Sequence, residues 1–232
     1  MKKLVVLSGA GISAESGVAT FRGAGGLWEG HRIEDVASPE GWEKDPELVL
    51  DFYNKRRQQM MEVKPNRGHV ILAELEEHFD VQVITQNIDD LHEQAGSSNV
   101  LHLHGEIKKV RSTGEAEEIF ELGGWQLNLG DMCPRGHQLR PHIVWFGESV
   151  PMIEPAMHLC AEADLFLVIG TSLVVYPASG LIHYVQGGAP KFVVDPNQPA
   201  VSGVQNLRFL SEPATTGMEK LKIILLEEGL NC

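Results

Sequence analysis

No run of about 18 apolar residues exists in the sequence, so nothing in it reads as a membrane span. Near the start, MKKLVVLSGAG offers only Leu4 to Leu7 before glycines and polar residues intervene. That is too little for a secretory leader and reads better as a buried strand. Cysteine is scarce. Cys133, Cys160 and Cys232 are odd in number and widely spaced, which argues against a disulfide framework and makes a reducing cytoplasm the expected compartment. Positive charge is short as well: 19 Lys and Arg against 32 Asp and Glu give a formal net charge of −13. This argues against a dedicated nucleic-acid binder but leaves room for a local site that takes basic peptide. Internal repeats and low-complexity tracts are missing. What remains is 232 residues, 43% hydrophobic, enough for one domain with a full core; a monomer is expected.

Short apolar runs recur at Leu4 to Leu7, Val81 to Thr85, Val100 to His104, Leu165 to Gly170, Lys191 to Asp195 and Leu207 to Leu210. Most are apolar throughout rather than alternating, the pattern of strands covered on both faces in a parallel sheet. Between them, Pro46 to Val63 opens with proline just inside a helix start and repeats apolar residues at helical spacing. Arg67 to Phe79 and Met218 to Gly229 read alike. The sum is a doubly wound, mostly parallel Rossmann-like α/β domain built from 1–24, 66–104 and 141–232. Two stretches leave this rhythm: a mostly helical excursion over 25–65, and a charged, glycine-rich small inserted module of short strands and loops over 105–140. Together they form a small domain, with the active site expected in the cleft between.

Gly9-Ala10-Gly11-Ile12-Ser13-Ala14 follows the first strand directly, the G-x-G-x-x-A form of a dinucleotide fingerprint. Gly9 would permit a tight turn, Gly11 would let phosphate approach the backbone, and Ala14 would let the next helix pack closely. That helix's N-terminus would add amide donors for pyrophosphate. Taken alone, the motif fits a glycine-rich turn with no ligand equally well. The acidic ribose reader of a dehydrogenase, about 20 residues on at the tip of a second strand, is missing. Asp35 has the distance but lies in a helical or loop stretch; Asp195 and Asn197, ending KFVVDPN, are better placed. The layout therefore departs from that of a hydride-transferring dehydrogenase.

Six stretches come in order: GAGISAESGVATFRG (9–23), TQNIDDLHEQAG (85–96), LHLHGE (101–106), RPHIVWFGE (140–148), GTSLVVYPA (170–178) and DPN (195–197). Together they resemble the sirtuin family of NAD-dependent protein deacylases, from about residue 4 to the C-terminus. The resemblance implies that NAD is held by Gly9, Ala10, Gly11, Ser13, Glu15, Phe21, Arg22 and Gln86. It adds Ile88, Gly170, Thr171, Ser172, Asn197 and Ala214, with Asn87 and Asp89 lining the nicotinamide pocket. His104 would be the general base and Asn87 its catalytic companion, while His102, two residues away on the same strand face, would be structural. In this chemistry an amide oxygen attacks the ribosyl carbon as nicotinamide leaves. A neutral imidazole then takes a proton from a ribose hydroxyl that attacks the imidate carbon. Phe21 would cover the ribosyl face and exclude water. The rival readings are an ADP-ribosyltransferase or NAD hydrolase using the same site, and a non-catalytic NAD sensor.

Tyr53 and Arg56 in DFYNKRRQQM are three apart and share a helix face. By themselves they read as a half-buried Tyr and a solvated Arg on an amphipathic helix. They also resemble the Tyr-x-x-Arg pair of the bacterial desuccinylase/deacetylase-type (class III) subgroup, with small Ala37 widening the pocket. The resemblance implies removal of succinyl, malonyl or glutaryl groups, with acetyl alongside, Arg56 pairing with the distal carboxylate. Acylated-lysine peptides would bind as an added strand along Val144, Trp145, Phe146, Gly147 and Glu148, facing Val175.

Most sirtuins carry four zinc thiolates in the small module. Here the first pair's position reads Arg111, Ser112, Thr113, Gly114, and the second keeps Cys133 but has Gly136 for its partner. His137, Glu115, Glu117, Glu118 and Asp131 could add nitrogen or oxygen donors, but zinc is not expected. A structural zinc supplies roughly 10–16 kcal/mol of apparent binding energy. Its replacement is expected to be an apolar core of Ile119, Phe120, Leu122, Trp125, Leu127 and Leu129.

Overall fold

A computed structural model describes residues 1–19, 27–114, 116, 118–199 and 201–228. The chain begins with β1 (Lys3–Ser8), α1 (Ala10–Ala14), the hairpin of β2 (Leu27–Trp28) and β3 (His31–Arg32), then α2 (Ile33–Val36), α3 (Pro39–Lys44) and α4 (Pro46–Met60). It continues through α5 (Arg67–Leu75), β4 (Asp80–Thr85), α6 (Leu91–Ala95), β5 (Val100–His102), β6 (Gly105–Ser112), β7 (Ile119–Glu121) and β8 (Leu139–Ile143). It closes with α7 (Ile153–Ala161), β9 (Leu165–Ile169), a 3-10 turn at Ala178–Tyr184, β10 (Lys191–Val194), β11 (Leu207–Leu210) and α8 (Ala214–Glu228). No helix among the described residues is long and apolar enough to cross a membrane.

The main sheet has the order β11-β10-β9-β1-β4-β5 and is parallel throughout. The chain builds outward from β1 through β4 to β5, then returns to β1's other side with β9. The topological switch point therefore lies between β1 and β9, where open α/β sheets bind their ligands. Unbroken apolar runs are explained by burial on both faces. Leu4 and Val6 of β1 face α5 and α8 through Ile71, Leu72, Leu75, Met218 and Leu221. Val5 and Leu7 face α7 and the 3-10 turn through Ala156, Cys160, Leu181 and Ile182. Each such large side chain contributes about 1.5–3 kcal/mol by leaving water.

The module is a three-stranded antiparallel sheet of order β7-β6-β8. A third apolar cluster joins it to the helical layer through Val49, Phe52, Tyr53, Ile107, Ile143 and Trp145. In α4, Pro46 sits in the first turn and Asp45 caps by accepting from the Leu48 amide at 3.0 Å. The expected strand to His104 stops at His102, and the last helix starts at Ala214 rather than Met218, directly after Pro213.

Candidate active site

A cavity of about 670 Å³ opens at the switch point, and every described residue singled out from the sequence for NAD or acyl-peptide binding lines it. Phe21 and Arg22 lie outside the described residues. The glycines are explained by the return of β9. A Cβ on Gly11 would lie 2.7 Å from the Gly170 Cα, and one on Gly9 would lie 2.7 Å from the Thr171 Cβ. Gly170 itself has φ +61, and its Cβ would fall 2.1 Å from the Ile12 nitrogen. Gly9, at φ −136 and ψ −174, is extended, so the close neighbour rather than a tight turn demands glycine there. The amides of Gly9, Gly11 and Ile12 donate to Ile169, Gly170 and Gly9 carbonyls at 3.0, 2.8 and 3.1 Å. The amide cradle is thus narrower than the fingerprint implies, because the second glycine loop consumes part of it. Ala14 is exposed at the cavity wall instead of packing beneath the helix.

The loop after β4 carries the polar centre. Asn87 Nδ2 donates to the Gly9 carbonyl (3.2 Å) and contacts Ser13 Oγ (3.1 Å), which donates to Asp89 Oδ2 (3.2 Å). Burial pushes the Asp89 carboxyl above the ordinary aspartate value, against the Leu91 amide and the Ser13 hydroxyl that stabilise its anion. His104 lies beyond β5, yet its ring and that of His102 turn to the same loop. His104 Nδ1 donates to the Gln86 carbonyl at 3.0 Å. A carbonyl only accepts, so Nε2 of the neutral ring keeps its lone pair. Burial holds His104 below the usual histidine value, with the Gln86 carbonyl opposing. His102 has acceptors on both nitrogens, the Asn87 carbonyl at 3.1 Å and Glu93 Oε1 at 2.7 Å. Burial opposes its protonation, but Glu93's hydrogen bond and charge win and raise its pKa. Two histidines two residues apart are therefore shifted in opposite directions, His102 up and His104 down.

Across the cavity, α4 presents two interleaved pairs. Tyr53 and Arg56 face the cavity, and both are buried, so the arginine is not solvated as an amphipathic-helix reading would have it. Tyr53 Oη accepts from Trp145 Nε1 at 3.1 Å, and the Arg56 guanidinium lies 4.5 Å from the Trp28 ring. Arg56 Nη1 meets Glu29 Oε1 at 3.3 Å. One residue on, Asn54 and Arg57 face the module. Asn54 clasps Leu127 both ways, Nδ2 to the carbonyl and Oδ1 from the amide, each at 2.9 Å. Arg57 donates to the Ile107 carbonyl at 2.7 Å and to Asn54 Oδ1 at 2.7 Å. Sequence reasoning missed Asn54, Arg57, Trp28 and Glu29. The only signal was that a helix carrying one inward i,i+3 pair can carry a second beside it.

The expected apolar core of the module needs correction. Ile119 and Leu129 are 53% and 45% exposed, while Leu127 packs with Leu50 of α4 and Val110, flanked by Phe120 and Leu122. In β7 the alternation turns Phe120 inward and Ile119 outward. Glu148, expected to serve substrate, lines the cavity, but its carboxylate is taken by Arg111 (2.9 Å), Arg140 (2.6 Å) and the Trp145 amide (2.8 Å). The amides of Val144 and Phe146 also donate internally, to His104 and Ala37 carbonyls, so an incoming strand cannot pair with them as the chain stands.

The donors at Cys133 do not fit a four-thiolate zinc. Ser112, within the stretch where the first cysteine pair would stand, has its Oγ 3.4 Å from Cys133 Sγ. Cys133 retains a knuckle-shaped turn, its carbonyl accepting from the Gly136 amide at 2.9 Å, and Gly136 has φ +79. The His137 ring packs against Gly114, where a Cβ would lie 2.6 Å from it. Among the described residues no group of three or more His, Cys, Asp or Glu is placed to hold a metal ion; Glu115 and Glu117 lie outside them.

Residues 9–177 match the Sir2 family model. An NAD-dependent protein deacylase of Bacteroides thetaiotaomicron is 53% identical over 231 residues, covering 97% of this chain and 99% of that protein. One from Helicobacter pylori is 52% identical, covering 98% and 99%. A solved Sir2 homologue in complex with NAD is 40% identical with a TM-score of 0.86, covering 97% of this chain and 90% of its own. A Sir2 homologue bound to ADP-ribose gives 39% and 0.88, covering 97% and 92%. With a family match over most of its length and relatives more than half identical from end to end, the chain belongs to the Sir2 family.

Proposed function

We propose that this chain is an NAD-dependent protein-lysine deacylase that removes succinyl, malonyl and glutaryl groups, and acetyl beside them, giving nicotinamide and O-acyl-ADP-ribose. The cavity wall at the switch point, with Gly9, Ala10, Gly11, Ser13 and Glu15, Gln86 to Asp89, Gly170 to Ser172, Asn197 and Ala214, would hold NAD. Bound there, NAD supplies a ribosyl carbon that accepts the acyl oxygen as nicotinamide leaves. His104, neutral near pH 7 with its lone pair on Nε2, takes up the proton that a ribose hydroxyl must lose. Asn87 and Asp89, held through Ser13, orient the carboxamide side of the pocket. Ala37 leaves room and the Trp28 face backs the acyl end.

The observation that carries the acidic-acyl reading is Arg56. It is a guanidinium 7% exposed, lining the cavity one helical turn from Tyr53, and its one carboxylate partner among the described residues, Glu29, is a part-exposed side chain at 3.3 Å that leaves donors for an anionic acyl group. The test is product analysis by mass spectrometry with NAD and a succinyl-lysine peptide. Free lysine peptide, nicotinamide and O-succinyl-ADP-ribose in equal amounts support the reading. ADP-ribosylated peptide, or ADP-ribose released without deacylation, favours the transferase or hydrolase alternative.

A further inference from the structure

We propose that Glu29 sets the acyl selectivity of this pocket by acting as a stand-in carboxylate for Arg56, ceding the guanidinium when the acyl group brings its own carboxylate. This rests on the reading of Arg56 as the partner of an acidic acyl group.

Three features of the pair point to it. The contact is long: 3.3 Å between Arg56 Nη1 and Glu29 Oε1, where charge-assisted bonds of this type run about 2.7–2.9 Å. Arg56 also keeps a donor in reserve, because its buried Nε has no hydrogen-bond partner among the described residues. The two side chains differ in setting, Arg56 at 8% exposure and Glu29 at 39%. The cation is fixed between the Trp28 face and the cavity, whereas the carboxylate reaches water and can leave for it at little desolvation cost.

The backbone places Glu29 deliberately. It occupies the turn between β2 and β3 at φ +50, with Gly30 following at φ +81. A non-glycine residue holds that left-handed conformation only at a cost. Glu29 does not line the cavity, so it approaches the guanidinium from outside the acyl pocket. With a neutral acetyl group bound, Glu29 spares Arg56 from being a buried, unpaired cation. With a succinyl group bound, two carboxylates compete for one guanidinium, and the exposed one gives way. The same residue thus lets acetyl in and weakens the grip on acidic chains.

Glu29→Gln removes the charge and keeps the shape. KM and kcat are measured for succinyl- and acetyl-lysine versions of one peptide. Half-exposed ion pairs contribute up to about 1 kcal/mol, so the succinyl KM is expected to fall roughly three- to five-fold. Acetyl efficiency should drop, so that the succinyl-to-acetyl ratio of kcat/KM rises. Glu29→Asn, which tolerates the left-handed turn, should move the ratio the same way. A ratio that stays level or falls in both variants overturns the proposal, as does loss of folding in both, since Glu29 would then be a residue of the fold. Arg56→Met is run alongside. If it leaves the ratio at the wild-type level, the acidic-acyl reading falls and this proposal with it. If it collapses the ratio while the Glu29 variants do not raise it, only the role of Glu29 falls.

Discussion

Asn54→Ala is the sharpest perturbation of the module. Its amide makes two hydrogen bonds to Leu127, a residue 1% exposed, and accepts a third from Arg57. Alanine leaves the Leu127 N–H and C=O buried without partners, at about 1–3 kcal/mol each. Water entering the vacated space offsets part of this, and a net loss of about 3 kcal/mol is expected. For a domain of this size each kcal/mol moves Tm by about 2–4 °C, so a fall of roughly 6–12 °C should appear in thermal unfolding. Arg57→Ala combined with Asn54→Ala should cost less than the sum of the two, because Arg57 and Asn54 share one hydrogen bond. Chelator treatment of the wild type should leave Tm in place. A fall below about 1 °C for Asn54→Ala, or stoichiometric zinc with chelator-sensitive unfolding, would show that the polar clasp does not hold the module.

His104→Ala should cut turnover by about 10²- to 10⁴-fold. Because burial holds His104 below its ordinary value of 6.5, the acid limb of kcat/KM, which reports the free enzyme, should lie below pH 6.5 in the wild type; a limb above that pH would contradict the neutral-base assignment. His69 is fully buried, and burial pushes its pKa down to about 4 from 6.5. The unfolded chain therefore takes up a proton below pH 6.5 that the folded chain refuses until about pH 4, and stability is lost as pH falls through that window, by about 3 kcal/mol from this residue. His69→Gln, which suits the third position of a capping box, should flatten the decline of Tm between pH 6.5 and 4; parallel curves for mutant and wild type would refute it.

The sheet was legible because runs such as LVVL and LFLVI are short and apolar on both faces, the character of strands in a covered parallel sheet. The cavity residues were legible because six motifs arrive in order, and the sheet's switch point gathers their ends. What escaped was contact that depends on relative placement. Nothing in G-x-G-x-x-A announces that Gly170 will occupy the space beside Gly11. The module's apolar letters were read as one core, although a three-residue edge strand exposes alternate residues and the packing partner, Leu50, belongs to α4. Asn54 and Arg57 take their role only from β6 and the Leu127 segment laid across them. Glu29 carries no sequence signal at all, since its meaning comes from the guanidinium across the hairpin turn.

The acidic-acyl assignment stands or falls on Arg56. The decisive experiment is the ratio of kcat/KM for succinyl- over acetyl-lysine peptide in wild type and Arg56→Met. A hydrogen bond to a charged group contributes about 1.5–3 kcal/mol, so the ratio should fall by at least about ten-fold. Equal losses on both substrates, leaving the ratio where it was, would mean that Arg56 supports the helix and the pocket wall but does not read the acyl chain.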